Sequence, residues 1–571
     1  MDTIVFLVFR RMRAPLLSLI LVYAVAMAGL ALIPAQDAAG DPATMSLFHA
    51  FYFVSYMSTT IGFGELPNTF TDAQRLWVSG CVFATVAVWI YAIGTLIALL
   101  QDPTFQRAIR ERRFRARVRG LCTPFYLVCG YGQTGSALVR GLTDRHLHAV
   151  VVDIDPERIN LLQLENQREY VPAFCADARS PAHLEAAGLR HPLCQGVVAL
   201  TNVNETNLKI AIAAKLMHPE VTVICRADSH EVEANMASFG TDHIYDPFDT
   251  FALYMATAIQ APCLTLLFDW LSGFGGERLK EPLFPPTRGR WVICGYGRFG
   301  KAMYKHLKEQ GMEVQVIEAL PHKTGIPEEG VVQGRGTEAV TLEQAGIRRA
   351  VGLVAGTDHD ADNLSIVMTA LMLNRGLFVI ARENQHHNHQ LFARVGAHAI
   401  MHPSLIVANR IGIRLVNPLL SDFATLARLE DEPWACELVS RVLGLVGECA
   451  PHVWEIVLEP GRAFAVCDAI ARGEPPTLEI LLRDPQARDE RLPVIPLLLA
   501  RDGARWLLPG PETELEAGDR LLCCGREWAS RRMGWTLQNL HALDYVCGRE
   551  SWREGPVWQL LAPLLRRARD H

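Results

Sequence analysis

The chain has 571 residues, 50% hydrophobic and 20% charged, with a net charge of −6. That length allows three or four domains; the apolar share is high for a purely soluble protein, and the acidic balance gives no sign of a nucleic-acid partner. The 14 cysteines are scattered with no Cys-x-x-Cys spacing. Most lie in apolar runs, as Cys129 and Cys294 do, and are expected to be reduced core thiols of a cytosolic region, neither disulfide-bonded nor zinc-bound.

Arg10, Arg11 and Arg13 precede Pro15 to Ile33, a nearly uncharged run about one bilayer long. A signal peptide is the alternative, because Ala35 to Gly40 is rich in small residues; the length of the run and a second one, Leu76 to Leu100, argue against it. Between the two, Ser46 to Ser58 is apolar and aromatic but too short to cross. It predicts a re-entrant helix whose C-terminal partial negative charge favours a cation. Thr59-Thr60-Ile61-Gly62-Phe63-Gly64-Glu65 follows. Glycines at alternate positions allow the backbone angles that turn successive carbonyls toward one axis, where they replace an ion's water shell. The Thr60 side chain would add a further ring of oxygens. The loop carries Asp37, Asp41, Glu65 and Asp72 against Arg75, whereas Arg107, Arg110, Arg112, Arg113, Arg115, Arg117 and Arg119 follow the second run. Both termini are therefore expected in the cytoplasm. The arginines after the membrane either bind anionic lipid or form a solvated linker helix that only fixes orientation.

The string from Thr59 to Glu65 resembles the potassium-channel pore signature, Thr-Thr-Val-Gly-Tyr-Gly-Asp. The resemblance implies a selectivity filter made of these residues and a tetramer around it, since one copy cannot surround an ion. Phe63 departs from the pattern: it lacks the tyrosine hydroxyl that can tie the filter to its pore helix, so a less rigid filter is expected. In that family the inner helix bends near a glycine. Here Gly94, in Ala92-Ile93-Gly94-Thr95, is the hinge candidate, with close helix packing as the other explanation.

Downstream, Tyr126 to Cys129 reads as a buried strand. Gly130, Gly132 and Gly135 then frame a turn with Gln133 and Thr134, a helix follows, and the next strand ends at Asp153, with Asp155 just beyond. This is a dinucleotide-binding fingerprint: glycines bring a pyrophosphate to a helix N-terminus, and the acid meets ribose hydroxyls. The unit repeats with Gly295, Gly297, Arg298, Phe299 and Gly300, and with Glu318 as the acid. Leu184 to Leu189 matches Leu342 to Ile347; Thr201, leading to Asn207, matches Thr357, leading to Asn363.

These strings resemble the RCK, or TrkA-N, domains that regulate potassium conductance, over about Phe125 to Pro262 and Arg288 to Leu420. Pro511 to Leu521 resembles the end of a TrkA-C lobe. The resemblance implies nucleotide sites that include Asp177 near the adenosine of the first copy. Arg335 takes that place in the second, and Arg298 stands where the first has Gln133, so the second site is expected to take a more anionic or different nucleotide, or to be a scaffold only. Calcium sites in some relatives use acids after the fifth strand. Arg226 and Asp228 stand there, with Glu231 and Glu233 nearby, so a full cluster is not expected and Ca2+ stays a minor alternative. The loop His386-His387-Asn388-His389 suggests a metal but reads more simply as solvated, and no metal ligand is assigned.

The expected architecture is a membrane all-α pore of two transmembrane helices and a re-entrant pore helix (1–104), a basic linker (105–124), a first Rossmann-like α/β RCK domain (125–262), a linker (263–287), a second RCK domain (288–428), a C-terminal α+β TrkA-C-like lobe (429–525) and a tail (526–571) that packs or contacts a subunit. The expected function is a tetrameric potassium channel of the plasma (inner) membrane. K+ passes the pore, and NAD, NADH, ADP or ATP acts on a ring of eight RCK domains. Alternatives are a weakly selective cation channel and a nucleotide-binding regulatory subunit of a potassium transporter. A membrane-anchored dehydrogenase finds no substrate domain with a positioned acid or base, so no enzyme activity and no protein substrate are expected.

Overall fold

The computed structural model describes residues 3–36, 42–65, 68–273, 279 and 281–549, in two compact units divided near Leu121. The loop charges Asp37 and Asp41 and the last residues of the tail lie outside the described residues.

The first unit is helical. Its outer helix is Thr3–Leu32, its short central helix Leu47–Ser58 and its inner helix Asp72–Gln101. Val8–Leu32 and Asp72–Gln101 are long and apolar enough to cross a membrane. Leu17, Ile20 and Leu21 on the outer helix and Leu76, Phe83 and Ile90 on the inner one are exposed, as lipid-facing surfaces require. The two long helices touch where Gly29 meets Trp77: a Cβ at Gly29 would lie 2.1 Å from the indole. Ser46 caps the short helix by accepting from the His49 N–H, and Thr71 and Gln74 form a capping box at the inner helix. Phe53, Val54 and Tyr56 of the short helix are buried with Ala26, Leu30 and Phe70. After Gln101, Asp102 caps a further helix, Pro103–Arg119, and pairs with Arg11 at 2.5 Å. The basic stretch expected as a linker is thus helical from Pro103.

The second unit contains two six-stranded parallel sheets. The first comprises Phe125–Cys129, His148–Asp153, Ala173–Cys175, Cys194–Ala199, Thr222–Arg226 and His243–Tyr245. Counted along the chain, the strands lie in the order 3-2-1-4-5-6. Arg290–Cys294, Glu313–Glu318, Val331–Gln333, Ala350–Ala355, Phe378–Arg382 and Ala399–Met401 repeat that order. Helices cover both faces, so Phe125–Cys129 is buried at every residue and reads as an unbroken apolar run.

The copies exchange helices. Helix Pro247–Gln260 follows the first sheet, yet its Phe248, Phe251 and Met255 are buried with Trp291, Ile293, Phe299 and Met303 of the second copy. Helix Pro403–Val416 follows the second sheet, and its Val407, Ala408 and Ile411 are buried with Leu138, Val139 and Leu142 of the first. Each core is closed by the other copy's segment.

Three expectations are corrected here. The presumed linker opens with a helix, Pro262–Ser272, buried against Pro418–Ala427 and Glu432–Val446; it is apolar because it is core. Cys263 on the first of these helices is disulfide-bonded to Cys436 on the last, with Cα atoms 5.1 Å apart, so not every cysteine is a free thiol. The C-terminal lobe is a four-stranded antiparallel sheet in the order His452–Val457, Arg520–Gly525, Val494–Arg501, Ala504–Leu507. Helices Glu527–Gln538 and Leu540–Val546 bury Met533, Leu537 and Leu543 in its core. The lobe therefore runs past residue 525, and only what lies beyond 549 is outside the described residues.

The exchange makes a prediction. Phe251→Ala truncates a ring that packs on Phe299 at 5.8 Å, at a cost of about 3–5 kcal/mol. It should lower the thermal midpoint of both copies in one transition, followed by amide hydrogen exchange of the strands of each sheet; a second copy that opens early while the first is unchanged would contradict the shared core.

Candidate functional sites: an ion filter and paired glycine-loop clefts

In the first unit, the short helix ends by delivering the chain into the filter string. The Thr60 N–H donates to the Met57 carbonyl at 3.1 Å and the Ile61 N–H to the Tyr56 carbonyl at 3.0 Å. These amides are thereby turned back toward the helix. Thr60, Gly62 and Gly64 have φ of 63°, 66° and 95°, while Ile61 and Phe63 between them stay at negative φ. An alternation of left- and right-handed residues keeps carbonyls on one side, where an ordinary strand would alternate them. Glycine takes the left-handed angles freely; for Thr60 they cost about 1–2 kcal/mol.

Two buttresses hold this strained segment. The Tyr56 hydroxyl donates to the Gly64 carbonyl at 2.5 Å, and its ring meets Phe63 edge-on at 5.4 Å. Glu65 accepts from the Phe70 N–H at 2.9 Å and from the Arg75 guanidinium at 2.9 and 3.2 Å. The tie expected to be missing at Phe63 is therefore supplied from the helix side. Only the run of aromatic residues before the string hinted at it. Tyr23 links the three helices, through Ser58 and through the Trp89 N–H at 3.0 Å. Gly94 lies within the unbroken inner helix, and a Cβ there would meet nothing within 4 Å among the described residues of the chain.

In the second unit, each sheet opens a cleft between its first and fourth strands, where strand order reverses. Gly130 and Gly295 turn there at φ of 105° and 95°. A Cβ on Gly135 or Gly300 would lie 2.0 or 1.9 Å from the carbonyl oxygen of Gly130 or Gly295, so the third glycine of each loop lets helix and turn touch. A Cβ on Gly297 would meet nothing within 4 Å, and one on Gly132 only the tip of Arg158 at 3.5 Å. The helices that start at Gln133 and Arg298 have no side-chain cap among the described residues, so their first-turn amides are available to an anion. This open cradle fits a nucleotide's phosphates.

Asp153 and Glu318 are buried, and each carboxylate spans its loop. Asp153 accepts from the Tyr131 N–H at 2.5 Å and the Asp155 N–H at 2.8 Å; Glu318 accepts from the Tyr296 N–H at 2.6 Å and the Leu320 N–H at 2.7 Å. Carboxylate oxygens keep lone pairs for a ribose hydroxyl as well. Across each cleft an asparagine holds the opposite turn: Asn207 Oδ1 accepts from Thr201 N and Oγ1 at 2.9 and 2.7 Å, and Asn363 does the same to Thr357. Both asparagines are fully buried. The repeat had shown them without showing this role.

The remaining residues divide. Gln133 is exposed at its loop, Thr134 is buried beneath it, and Asp155 caps the next helix. Asp177 and Arg335 take equivalent places two residues beyond their strands. Arg179 grips Asp177 at 2.7 Å and holds its carboxyl below the usual range. Phe299, expected at the nucleotide, is instead fully buried between Phe248 and Phe251, because the exchanged helix covers it. Arg298, expected on a phosphate, pairs with Asp228 of the first copy at 2.6 Å and lies over the Phe248 ring. Asp228 also pairs with Arg226 at 3.2 Å, so it is neutralised, and among the described residues it joins no cation-binding group.

Residues 16–102 match the ion channel family model, and residues 126–247 and 291–403 match the TrkA-N domain. An uncharacterized protein of Methanothermus fervidus is 27% identical over 202 residues, 34% of this chain and 30% of that protein. Potassium channel protein 1 of Methanocaldococcus jannaschii is 25% identical over 155 residues, 26% of this chain and 44% of that protein. The chain thus spans less than half the length of these relatives. Among solved structures, the GsuK channel aligns over 92% of this chain and 99% of its own at 18% identity, with a TM-score of 0.49.

The filter geometry predicts that Tyr56→Phe, which removes one hydrogen bond worth about 1 kcal/mol, raises the sodium-to-potassium permeability ratio severalfold in planar bilayers; an unchanged ratio would show that Tyr56 does not support the filter. The chain joins an ion-channel domain of two transmembrane helices to a tandem pair of TrkA-N, or RCK, domains.

Proposed function

We propose that four copies of the chain surround one axis with their Thr59–Glu65 loops and form a potassium channel gated by nucleotide. The observation that carries this reading is the alternating left-handed backbone at Thr60, Gly62 and Gly64, buttressed by Tyr56 and Glu65. A loop shaped only to turn has no need of left-handed angles at every second residue. The ion channel family match and the potassium-channel names of relatives support the same reading.

In this reading the channel sits in the plasma membrane; both termini are cytoplasmic, because Arg10, Arg11, Arg13 and the arginines from Arg107 to Arg119 flank the spans on one side. Thr59 to Glu65 form the filter, and Gly94 is the hinge of the inner helix. The two glycine-loop clefts bind NAD or an adenine nucleotide. In the first, Gly130, Gly132, Gln133, Thr134 and Gly135 take the phosphates, Asp153 takes the ribose, and Asp155, Asp177 and Thr201 line the cleft. In the second, Gly295, Gly297, Gly300, Glu318, Arg335 and Thr357 do so, and Arg298 must leave Asp228 to reach a phosphate. Four chains supply eight RCK domains in a ring. A nucleotide acts only as far as it prefers one ring shape: a tenfold preference at one site is worth about 1.4 kcal/mol, and several sites add.

Asp153→Ala should weaken the nucleotide response of reconstituted channels at least tenfold and leave ion selectivity intact; an equal response would remove the first cleft from the account. Calorimetry should give two nucleotide equivalents per chain, with Arg298→Ala changing one of them. A single equivalent that ignores Arg298→Ala would make the second copy a scaffold.

A further inference from the structure

The loop after strand Phe378–Arg382 assembles an apparatus that the pore and the clefts do not use. Glu383 is fully buried, and among the described residues its Oε1 has no hydrogen-bond partner. His389 Nδ1 lies 2.9 Å from Glu383 Oε2, and His386 Nδ1 lies 3.5 Å from Oε1. The three donor atoms lie within 4.8 Å of one another. The two imidazoles, three residues apart at the start of a helical turn, have ring centres 5.6 Å apart and face one carboxylate. A buried carboxylate with an unused oxygen is costly unless a cation completes it.

We propose that Glu383, His386 and His389 form a binding site for a divalent transition metal of the zinc class. Two imidazole nitrogens and one carboxylate are a ligand set for Zn2+, Co2+ or Ni2+; Ca2+ and Mg2+ take oxygen ligands. Closing donors that lie within 4.8 Å onto a tetrahedral ion needs metal–ligand distances of about 2.0–2.2 Å, a small rotation of exposed rings. His402, buried beside His386 with ring centres 5.2 Å apart, is not a ligand. Its Nδ1 accepts from the Leu405 N–H, which leaves the proton of the neutral ring on Nε2. The fourth position on the metal is therefore open to water or to a ligand.

The loop is held in shape for this. Asp360 accepts from the Asn384 N–H at 2.7 Å, the Gln385 N–H at 3.1 Å and the Asn388 side chain at 2.7 Å. Asp360 begins the helix whose Asn363 clamps Thr357 at the second cleft. Metal loading would thus stiffen a loop bonded to the wall of that cleft and alter nucleotide affinity there.

The test is a Co2+ titration of chelator-stripped, full-length protein in detergent, read by visible absorption. The expected result is one saturable equivalent per chain, displaced by Zn2+ and not by Ca2+ or Mg2+ at a hundredfold excess. His386→Ala/His389→Ala should abolish it, and Glu383→Gln should weaken it at least tenfold. Both histidine side chains are more than half exposed, so the double variant should fold, with its thermal midpoint as the check. His389→Cys should retain the equivalent and add a thiolate charge-transfer band. Equal Co2+ uptake by the wild type and the double variant would overturn the proposal.

Discussion

A row of carbonyls that takes the place of water around an ion must point one way, and an ordinary extended chain cannot do that. The segment from Thr60 to Gly64 meets the requirement with left-handed angles at alternate residues. Such a backbone does not hold itself. Its amides are drawn back to the helix end, the Gly64 carbonyl is caught by Tyr56, and Glu65 is fixed between Phe70 and Arg75. The burial of Tyr56 and Phe53 and the tight contact of Gly29 with Trp77 position those supports. Strain at Thr60 is thus held by packing on the short helix.

The second unit meets a different constraint, which is to join two Rossmann-like folds through shared cores. Exchange of the helices around Phe251 and Ile411 puts part of each core in the other copy. Arg298 of the second glycine loop reaches Asp228 of the first copy, and Arg298 and Arg382 both lie over Phe248. A phosphate that drew Arg298 away would release Asp228 to Arg226 alone. The divergence between Gln133 and Arg298, and between Asp177 and Arg335, therefore bears on how the copies are connected as well as on which ligand each takes.

Much of this was legible from residue order. Apolar run lengths located both spanning helices, and the glycine spacing located both Rossmann turns, because those features are local and backbone geometry demands them. The exchange of helices was not legible, since an amphipathic helix does not say which sheet it covers; Phe299 was for that reason read as a ligand contact. The helix Pro262–Ser272 was read as a linker because no second lobe followed the first copy, and its burial depends on partners more than a hundred residues away. Cys263 and Cys436 are separated by 173 residues, beyond any spacing rule. The Tyr56 hydroxyl escaped notice because the family pattern places a hydroxyl inside the string, at the position of Phe63.

The most direct test of the central claim is the reversal potential of the reconstituted protein under bi-ionic conditions, K+ on one face and Na+ on the other, with nucleotide present on the cytoplasmic face. A carbonyl-lined, buttressed filter predicts a potential that strongly favours K+. A potential near zero would contradict potassium selectivity and leave only a cation pore of the same architecture, and no current at all would contradict the channel itself.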